Sequence, residues 1–205
     1  MMVKITCILF LFLFVCLSVS AQSFLDENPD VKQIFHKALK EEGIEYRLPN
    51  GYNETFKDIN ARMGGIFLSA SMCQLQTHED SILLYIAIQH IDTTKATYNK
   101  LKSWGLERDV NKNYLNLNTD TVKHPIIHFS ARYSRRKFNA DDSGMFELEY
   151  PLKYAYRGIY TKCKGIFIHK NDRCDIKLYY FYTDKSAVNL KKNIRRSYNV
   201  LRFKN

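Results

Sequence analysis

Residues 160–183, YTKCKGIFIHKNDRCDIKLYYFYT, decide the fold, because two runs rich in β-branched and aromatic residues flank a short polar segment. Runs of this composition are typical of strands. A tight turn centred on Asn171-Asp172 then joins Tyr160–Lys170 to Cys174–Thr183 as an antiparallel hairpin. The register that follows pairs Phe167 with Ile176, Gly165 with Leu178, and Cys163 with Tyr180.

In this register one face of the hairpin is apolar and the other is basic and aromatic. The second face holds Lys162, Lys164 and Lys177, interleaved with Ile166, Tyr179 and Phe181. Lysine stems often cover aromatic rings at a sheet edge, but the same combination of charge and stacking also binds single-stranded nucleic acid. We therefore take Lys162, Lys164, Lys177 and Tyr179 as the first part of a candidate surface for an anionic partner.

A helix is predicted over Ser186–Phe203, directly after the hairpin. Its apolar stripe consists of Ala187, Leu190, Ile194, Tyr198 and Leu201, and its other side carries Lys191, Lys192, Arg195, Arg196 and Arg202. A terminal helix of this kind normally docks on its own sheet, although a basic amphipathic helix can also bind an anionic membrane surface. Lys191, Lys192, Arg195 and Arg196 complete the candidate surface.

The N-terminal half begins with a predicted helix from Asp30 to about Glu42, because apolar residues recur with helical spacing and Gly43 follows as a C-cap. The next predicted strands are Ile44–Leu48, Ile66–Leu75 and Ile82–Ile91. Residues on both faces of the last of these are apolar, so we expect it to lie centrally in a sheet that is covered on both sides.

The middle of the chain gives weaker patterns. We predict a helix from Thr93 or Thr94 to about Trp104, an irregular segment or short helix over Leu106–Thr121, a strand over Ile126–Tyr133, a polar connection over Arg135–Asp142, and a strand over Phe146–Tyr150. The fold class is therefore α+β: a mainly antiparallel sheet flanked by N-terminal, middle and C-terminal helices, in a single domain over residues 30–205.

Residues 1–21 have the pattern of a secretory signal peptide. Lys4 supplies a positive charge, Ile5–Leu17 is almost unbroken apolar sequence, and Val19-Ser20-Ala21 is a small-residue cleavage pattern. The apolar run is shorter than the roughly 20 residues of a membrane span, so we expect no transmembrane span in the mature chain. The mature protein is then exported to the periplasm or outside the cell, with a flexible N-terminus over 22–29.

The net charge of the chain is +10. Cleavage of the leader removes only Lys4, which leaves 30 basic and 21 acidic residues and a net charge of +9. A basic surface attracts anionic partners in general, including acidic proteins, lipid headgroups and acidic polysaccharides.

Three cysteines, Cys73, Cys163 and Cys174, remain after Cys7 and Cys16 leave with the leader. In the predicted register the sulfur atoms of Cys163 and Cys174 lie on one face but about 20 Å apart, too far for a disulfide. We leave open a disulfide between Cys73 and a partner on a neighbouring strand.

Metal and catalytic motifs are sparse. His124 and His128 have the spacing of two helical ligands, but Pro125 favours an extended chain that separates them by roughly 13 Å. We find no nucleophile elbow, phosphate loop or dinucleotide fingerprint, and we expect no metal and no cofactor. An enzyme remains the competing class, built around Asp141, Asp142, His128 or Glu147, in which case those groups should gather in a pocket.

The order of elements at the C-terminus resembles the PsbP-like fold. The segments that carry the resemblance are Gly165-Ile166-Phe167-Ile168-His169-Lys170, the aromatic strand Lys177–Thr183, Leu201-Arg202-Phe203, and upstream Tyr46-Arg47-Leu48-Pro49-Asn50-Gly51-Tyr52. Phe138-Asn139-Ala140-Asp141-Asp142 is similar to a segment of uncharacterised secreted Bacteroidetes proteins. The resemblance implies a binding or accessory module and transfers no catalytic residue.

The sequence therefore predicts an exported, non-enzymatic binding or accessory module for another envelope or secreted protein. One specific version is an immunity or inhibitor protein against a toxin. The alternatives are an envelope hydrolase and a protein that binds anionic lipid or polysaccharide, whereas nucleic acid is not expected as a partner.

Overall fold

The computed structural model describes residues 29–56, 59–63, 66–71, 73–77, 82–94, 110–115, 125–148 and 160–205. The predicted signal peptide, the predicted helix beyond Thr94, and His124 lie outside the described residues.

The described residues form three α-helices, one 3-10 helix and eleven strands. The helices are α1 (Pro29–Glu41), α2 (Ala131–Phe138), α3 (Ala187–Ser197) and the 3-10 helix Val110–Leu115. The strands are β1 (Ile44–Tyr46), β2 (Tyr52–Thr55), β3 (Ile59–Met63), β4 (Ile66–Ser71), β5 (Cys73–Thr77), β6 (Leu83–His90), β7 (Ile127–His128), β8 (Asp142–Leu148), β9 (Lys162–Lys170), β10 (Cys174–Tyr182) and β11 (Leu201–Phe203). The α+β class predicted from the sequence is confirmed.

An antiparallel seven-stranded sheet with the order β2-β5-β6-β10-β9-β8-β7 organises the molecule, and β1 pairs with β11 and β3 with β4 beside it. Two apolar clusters cover the sheet. The first face contains Ile86, Ile166 and Leu178 and receives side chains from all three α-helices. The second face contains Tyr85, Phe167 and Tyr179, and Tyr114 of the 3-10 helix packs there.

The predicted central position of β6 is confirmed. It lies between β5 and β10, and Leu83–Ile88 are buried on both faces of the sheet. The N-terminal helix is also confirmed: α1 buries Val31, Phe35 and Leu39, and Gly43 follows it with a φ of +54°, a conformation that glycine adopts without strain. The predicted strand Ile66–Leu75 is divided into β4 and β5, and β2 and β3 are additional strands.

The hairpin of β9 and β10 is confirmed, but its predicted register is wrong by one residue. Phe167 lies opposite Lys177, and Cys163 opposite Phe181. The loop has three residues, with Asp172 at a φ of +55°. The Asn111 side chain holds this turn, because it donates to the Asp172 carboxylate and accepts from its N–H at 2.8 Å each.

The predicted strand Ile126–Tyr133 is only partly confirmed: it is reduced to β7, and α2 begins at Ala131. Only Ile127 and His128 pair with β8. Ser130 then caps α2, because its hydroxyl accepts from the Tyr133 N–H, and Asn139 ends the helix in the left-handed conformation. In the described residues, α2 is the middle helix of the fold.

The predicted C-terminal helix is too long. α3 ends at Ser197, and Leu201 and Phe203 are buried on either side of the exposed Arg202. This alternation is that of a strand, and it lets β11 pair with β1. No helix in the described residues combines the length and apolar character that crossing a membrane requires.

Candidate binding surface

The four predicted partner-binding residues on the hairpin do not form one surface. The three-residue turn places Lys177 and Tyr179 on the second face, where they are 7% and 3% exposed. Lys162 and Lys164 lie on the first face and are engaged by Asp184 and Glu147, respectively. Because side chains alternate along a strand, the one-residue difference in register moved half of the predicted set to the opposite face.

The four basic residues predicted on the last helix are exposed. They lie on α3, whose buried side is fixed by hydrogen bonds as well as by Leu190. The Tyr52 hydroxyl donates to Asn193 Oδ1 at 2.6 Å, and the hydroxyls of Tyr180 and Ser197 are 3.0 Å apart. These contacts set the rotation of the helix and so turn its basic side outward.

The neighbouring helix α2 presents a similar surface. Phe138 and Ser134 are buried, and the Ser134 hydroxyl is 2.7 Å from that of Ser143 on β8. The basic residues of α2 are Arg132, Arg135, Arg136 and Lys137. α2 and α3 each carry four basic residues and no acidic residue, and we call their combined outer surface the basic layer.

The two helices approach each other at their C-terminal ends. The rings of Phe138 and Tyr198 have centroids 6.1 Å apart, and Lys137 Nζ lies 5.7 Å from the centre of the Tyr198 ring. A cleft of about 320 Å³ opens beside this contact. It is lined by Glu45, Arg47, Arg136, Lys137, Asn199 and Arg202. We call it the basic cleft.

A second cleft, of about 490 Å³, lies between α1 and the turn that follows β9. Its polar groups bond to one another: His90 Nδ1 is 2.7 Å from Glu42 Oε1, and Arg173 donates to the Glu42 carbonyl at 2.6 Å. The Arg173 guanidinium also lies over the Phe203 ring. These contacts tie α1 to the sheet and to the C-terminus.

Charged and polar residues also cross the second face of the sheet. Asp142, His169 and Asp175 lie side by side on β8, β9 and β10. We call them the polar row. His169 Nδ1 is 2.7 Å from Asp175 Oδ1, and its Nε2 is 2.9 Å from Asn171 Oδ1. Both ring nitrogens of His169 face oxygen atoms, an arrangement that favours the doubly protonated imidazolium.

The pKa values of His169 and Lys177, both on the second face of the sheet, are shifted by their surroundings. Burial works against the charged imidazolium of His169, but its hydrogen bonds to Asp175 and Asn171 and the charges of Asp175 and Asp141 outweigh burial and raise its pKa. Burial lowers the pKa of Lys177 against the opposing attraction of Asp175. The imidazolium and the carboxylate of Asp175 therefore stabilise each other inside the protein.

Two of the residues predicted for an enzyme come together at the end of the polar row. His128 Nδ1 is 2.9 Å from Asp142 Oδ2, and Tyr114 donates to the same oxygen at 2.6 Å. The Tyr114 ring stacks on that of His169 with centroids 4.2 Å apart. This arrangement holds the 3-10 helix on the sheet, and burial is the largest cause of the raised pKa of Tyr114.

The other two predicted residues do not join this group. Asp141 accepts from the Asn171 N–H at 2.9 Å and lies 3.8 Å from Lys170 Nζ. Glu147 lies on the first face, where it pairs with Lys164. The predicted catalytic set is therefore divided between the two faces of the sheet.

The cysteine thiols are buried in the sheet. Burial raises the pKa of Cys73 to about 12, with the charge of Glu54 adding to it, and burial also raises the pKa of Cys163 and of Cys174. None of the three is in a disulfide in the described residues. Cys163 and Cys174 lie on opposite faces, not on the same face as the predicted register implied. Protonated, buried thiols are poor nucleophiles.

Sequence reasoning missed the pairing of His169 with Asp175. Both residues interrupt apolar strands close to the turn, and placing them opposite each other required the three-residue loop. The described residues contain no cluster of three or more His, Cys, Asp or Glu side chains that could hold a metal ion.

No protein-family model matches the chain, and no curated protein matches its sequence. Among solved structures, the chain is similar to cyanobacterial PsbP (CyanoP) from Synechocystis sp. PCC 6803, with a TM-score of 0.39 and 10% identity over 80% of this chain and 88% of that chain. This match agrees with the PsbP-like resemblance predicted from the sequence.

Proposed function

We propose that this chain is an exported, non-enzymatic binding module whose basic layer docks on an acidic surface of another envelope or secreted protein. The observation that carries this proposal is the charge of two neighbouring exposed helices, each with four basic residues and no acidic residue. Adjacent like charges repel, and a large field of one sign steers oppositely charged partners.

Three cations of the basic layer are in no ion pair within the described part of the chain, whereas Arg196 donates to the Asn50 carbonyl and lies over the Tyr52 ring. Arg132, Arg136 and Arg195 form no ion pair there, whereas the exposed Lys37 of α1 pairs with Glu41 at 3.8 Å. Charges that are not neutralised internally are available for a partner. Arginine suits this role because its planar guanidinium forms bidentate hydrogen bonds to carboxylates.

A protein partner fits this surface better than a membrane or a nucleic acid. The apolar side of α3 is occupied by the core, with Leu190 8% exposed, so it does not provide the apolar face by which interfacial helices enter a bilayer. Tyr179 is buried, which removes the predicted stacking surface for bases.

Export is part of the proposal and rests on the leader pattern of residues 1–21. N-terminal sequencing of the protein recovered from the envelope fraction and from the medium should begin at Gln22. Recovery of a chain that retains Met1 in the cytoplasm would contradict export while leaving the binding surface to be tested separately.

The binding proposal is tested with the full-length chain, expressed with its own leader and tagged at its C-terminus. The wild type is compared with Lys191→Glu/Lys192→Glu/Arg195→Glu on α3 and with a charge-matched control on α1, Lys32→Glu/Lys37→Glu/Lys40→Glu. Proteins captured from the native envelope are purified, and their affinity for each variant is measured by calorimetry.

We expect wild type and the α1 control to bind one acidic protein with similar affinity, and the α3 variant to bind at least about tenfold more weakly, the loss expected for a few charge-assisted contacts. Equal loss in both variants would show that net charge alone matters. Binding to heparin or to anionic vesicles at physiological salt, with no protein bound, would replace the protein partner by a polysaccharide or a membrane.

A further inference from the structure

The basic cleft brings together residues from three separate parts of the chain. Glu45 and Arg47 come from β1 and the segment after it, Arg136 and Lys137 from the last turn of α2, and Asn199 and Arg202 from the C-terminal segment. Glu45 and Arg202 lie opposite each other on β1 and β11. The cleft is therefore built by the tertiary structure at the meeting point of the two basic helices.

Most of the positive charge in the cleft is not neutralised within it. Its lining has one acidic residue, Glu45, whose carboxylate lies 3.5 Å from the Arg47 guanidinium. In the described part of the chain, the guanidinium groups of Arg136 and Arg202 are in no ion pair, and both side chains are exposed. The guanidinium groups of Arg136 and Arg202, the ammonium of Lys137 and the amide of Asn199 are thus left as donors.

The charges of the cleft favour a carboxylate over a more highly charged anion. Its volume of about 320 Å³ admits a side-chain carboxylate. The Glu45 carboxylate repels a phosphate, which carries more negative charge than a carboxylate. A planar carboxylate also matches the guanidinium fork in shape.

We propose that the basic cleft is the subsite that takes an aspartate or glutamate side chain from an acidic segment of the protein partner. This inference rests on the proposed function and names the group that is recognised. Arg136 and Arg202 bind the carboxylate, Asn199 donates an additional hydrogen bond, and the charge of Glu45 disfavours dianions relative to a carboxylate.

The test is an NMR titration of the 15N-labelled full-length chain, expressed with its leader. The probes are acetyl-tetraaspartate amide, acetyl-tetraasparagine amide and inorganic phosphate, at matched ionic strength. The variants are Arg136→Gln/Arg202→Gln, the single Arg136→Gln in case the double variant does not fold, and Lys40→Gln, an exposed residue of α1 outside the basic layer, as the control.

We expect the aspartate peptide to shift the signals of Arg136, Asn199 and Arg202, and the double variant to bind it about tenfold more weakly, with a smaller loss in the single variant and none in the control. Stronger shifts with phosphate than with the aspartate peptide would overturn the assignment of a carboxylate. Equal shifts with the asparagine peptide, or shifts spread over α3 and unaltered in the cleft variants, would overturn the subsite. Either result could occur with capture of the protein partner unchanged, which separates this inference from the proposed function.

Discussion

The two faces of the seven-stranded sheet use charge in opposite ways. On the second face, His169 and Asp175 are buried and bonded to each other, with side chains 3% and 5% exposed. On the helical side, the cations of the basic layer are exposed and lie beside other cations. Buried charges must be paired because desolvation is expensive, whereas exposed charges are solvated by water. Charge therefore stabilises the fold on one face and is available for recognition on the other.

Among the variants that test this contrast, we expect His169→Leu to lose the most stability. The substitution leaves the Asp175 carboxylate buried without its cation, and we expect the free energy of unfolding to fall by about 3–5 kcal/mol. Urea unfolding followed by circular dichroism measures the change. Lys37→Leu, which removes an exposed ion pair on α1, is the control and should change stability by less than about 1 kcal/mol.

A similar loss of unfolding free energy in His169→Leu and Lys37→Leu would show that the buried pair contributes no more to stability than the exposed pair. If His169→Leu does not fold, His169→Gln provides the measurement. Glutamine can still donate a hydrogen bond to Asp175, so the free energy of unfolding should fall by less than in His169→Leu.

Gly165→Ala is expected to have the next largest effect. Gly165 lies opposite Phe146 and Tyr179, and the Phe146 ring occupies the space that a Cβ atom at this position would need. Overpacking of this kind typically lowers the free energy of unfolding by about 1–3 kcal/mol. Phe146→Leu should recover part of this loss in the double variant, and additive losses from the two substitutions would contradict the proposed crowding.

The pH dependence of the free energy of unfolding tests the contribution of the buried His169–Asp175 pair. The pKa of His169 is higher in the folded protein than its ordinary value. The imidazolium pair therefore contributes its full stability below about pH 6.5, and this contribution is lost as the pH rises through the folded pKa of His169. We therefore expect the free energy of unfolding of the wild type to fall as the pH rises.

The measurement is urea unfolding between about pH 5.5 and about pH 8, a range in which ordinary thiols and lysines remain mostly protonated. His169→Gln should flatten the decline. An equally steep decline in His169→Gln would assign the pH dependence to other groups.

The smallest effect on stability is expected in the basic layer. Arg132→Gln/Lys191→Gln/Arg195→Gln removes three exposed cations, and its free energy of unfolding should differ from wild type by no more than about 0.5 kcal/mol per substitution. The same variant should bind the acidic partner more weakly in calorimetry. A large loss of stability would mean that these cations are structural and would remove the distinction between the two faces.

Patterns among neighbouring residues predicted α1 and β6, because the buried residues of each follow a regular pattern along the chain. The helical spacing of Val31, Phe35 and Leu39 gave α1, and apolar residues on both faces gave the central strand β6. The middle of the chain was harder, because Ile126 and Ile127 favour a strand while Ser130 and Asn139 provide helix caps. The strand is confined to Ile127 and His128, and the helix begins directly after the cap at Ser130.

The candidate site was only half predictable. Lys191, Lys192, Arg195 and Arg196 were found from helical periodicity, which depends on neighbours in the chain. Lys177 and Tyr179 were misplaced because the register depends on loop length, and the loop is held by Asn111 from a distant segment. The basic cleft could not be found from sequence, since its residues come from three segments that are far apart in the chain.

The sequence by itself determined that this chain forms a basic α+β protein, because composition and alternating or helical periodicity act over a few neighbouring residues. Only the tertiary structure decided which charges are buried in pairs and which face solvent. The physical reason is that this choice depends on strand register and helix rotation, and contacts between residues far apart in the chain set both.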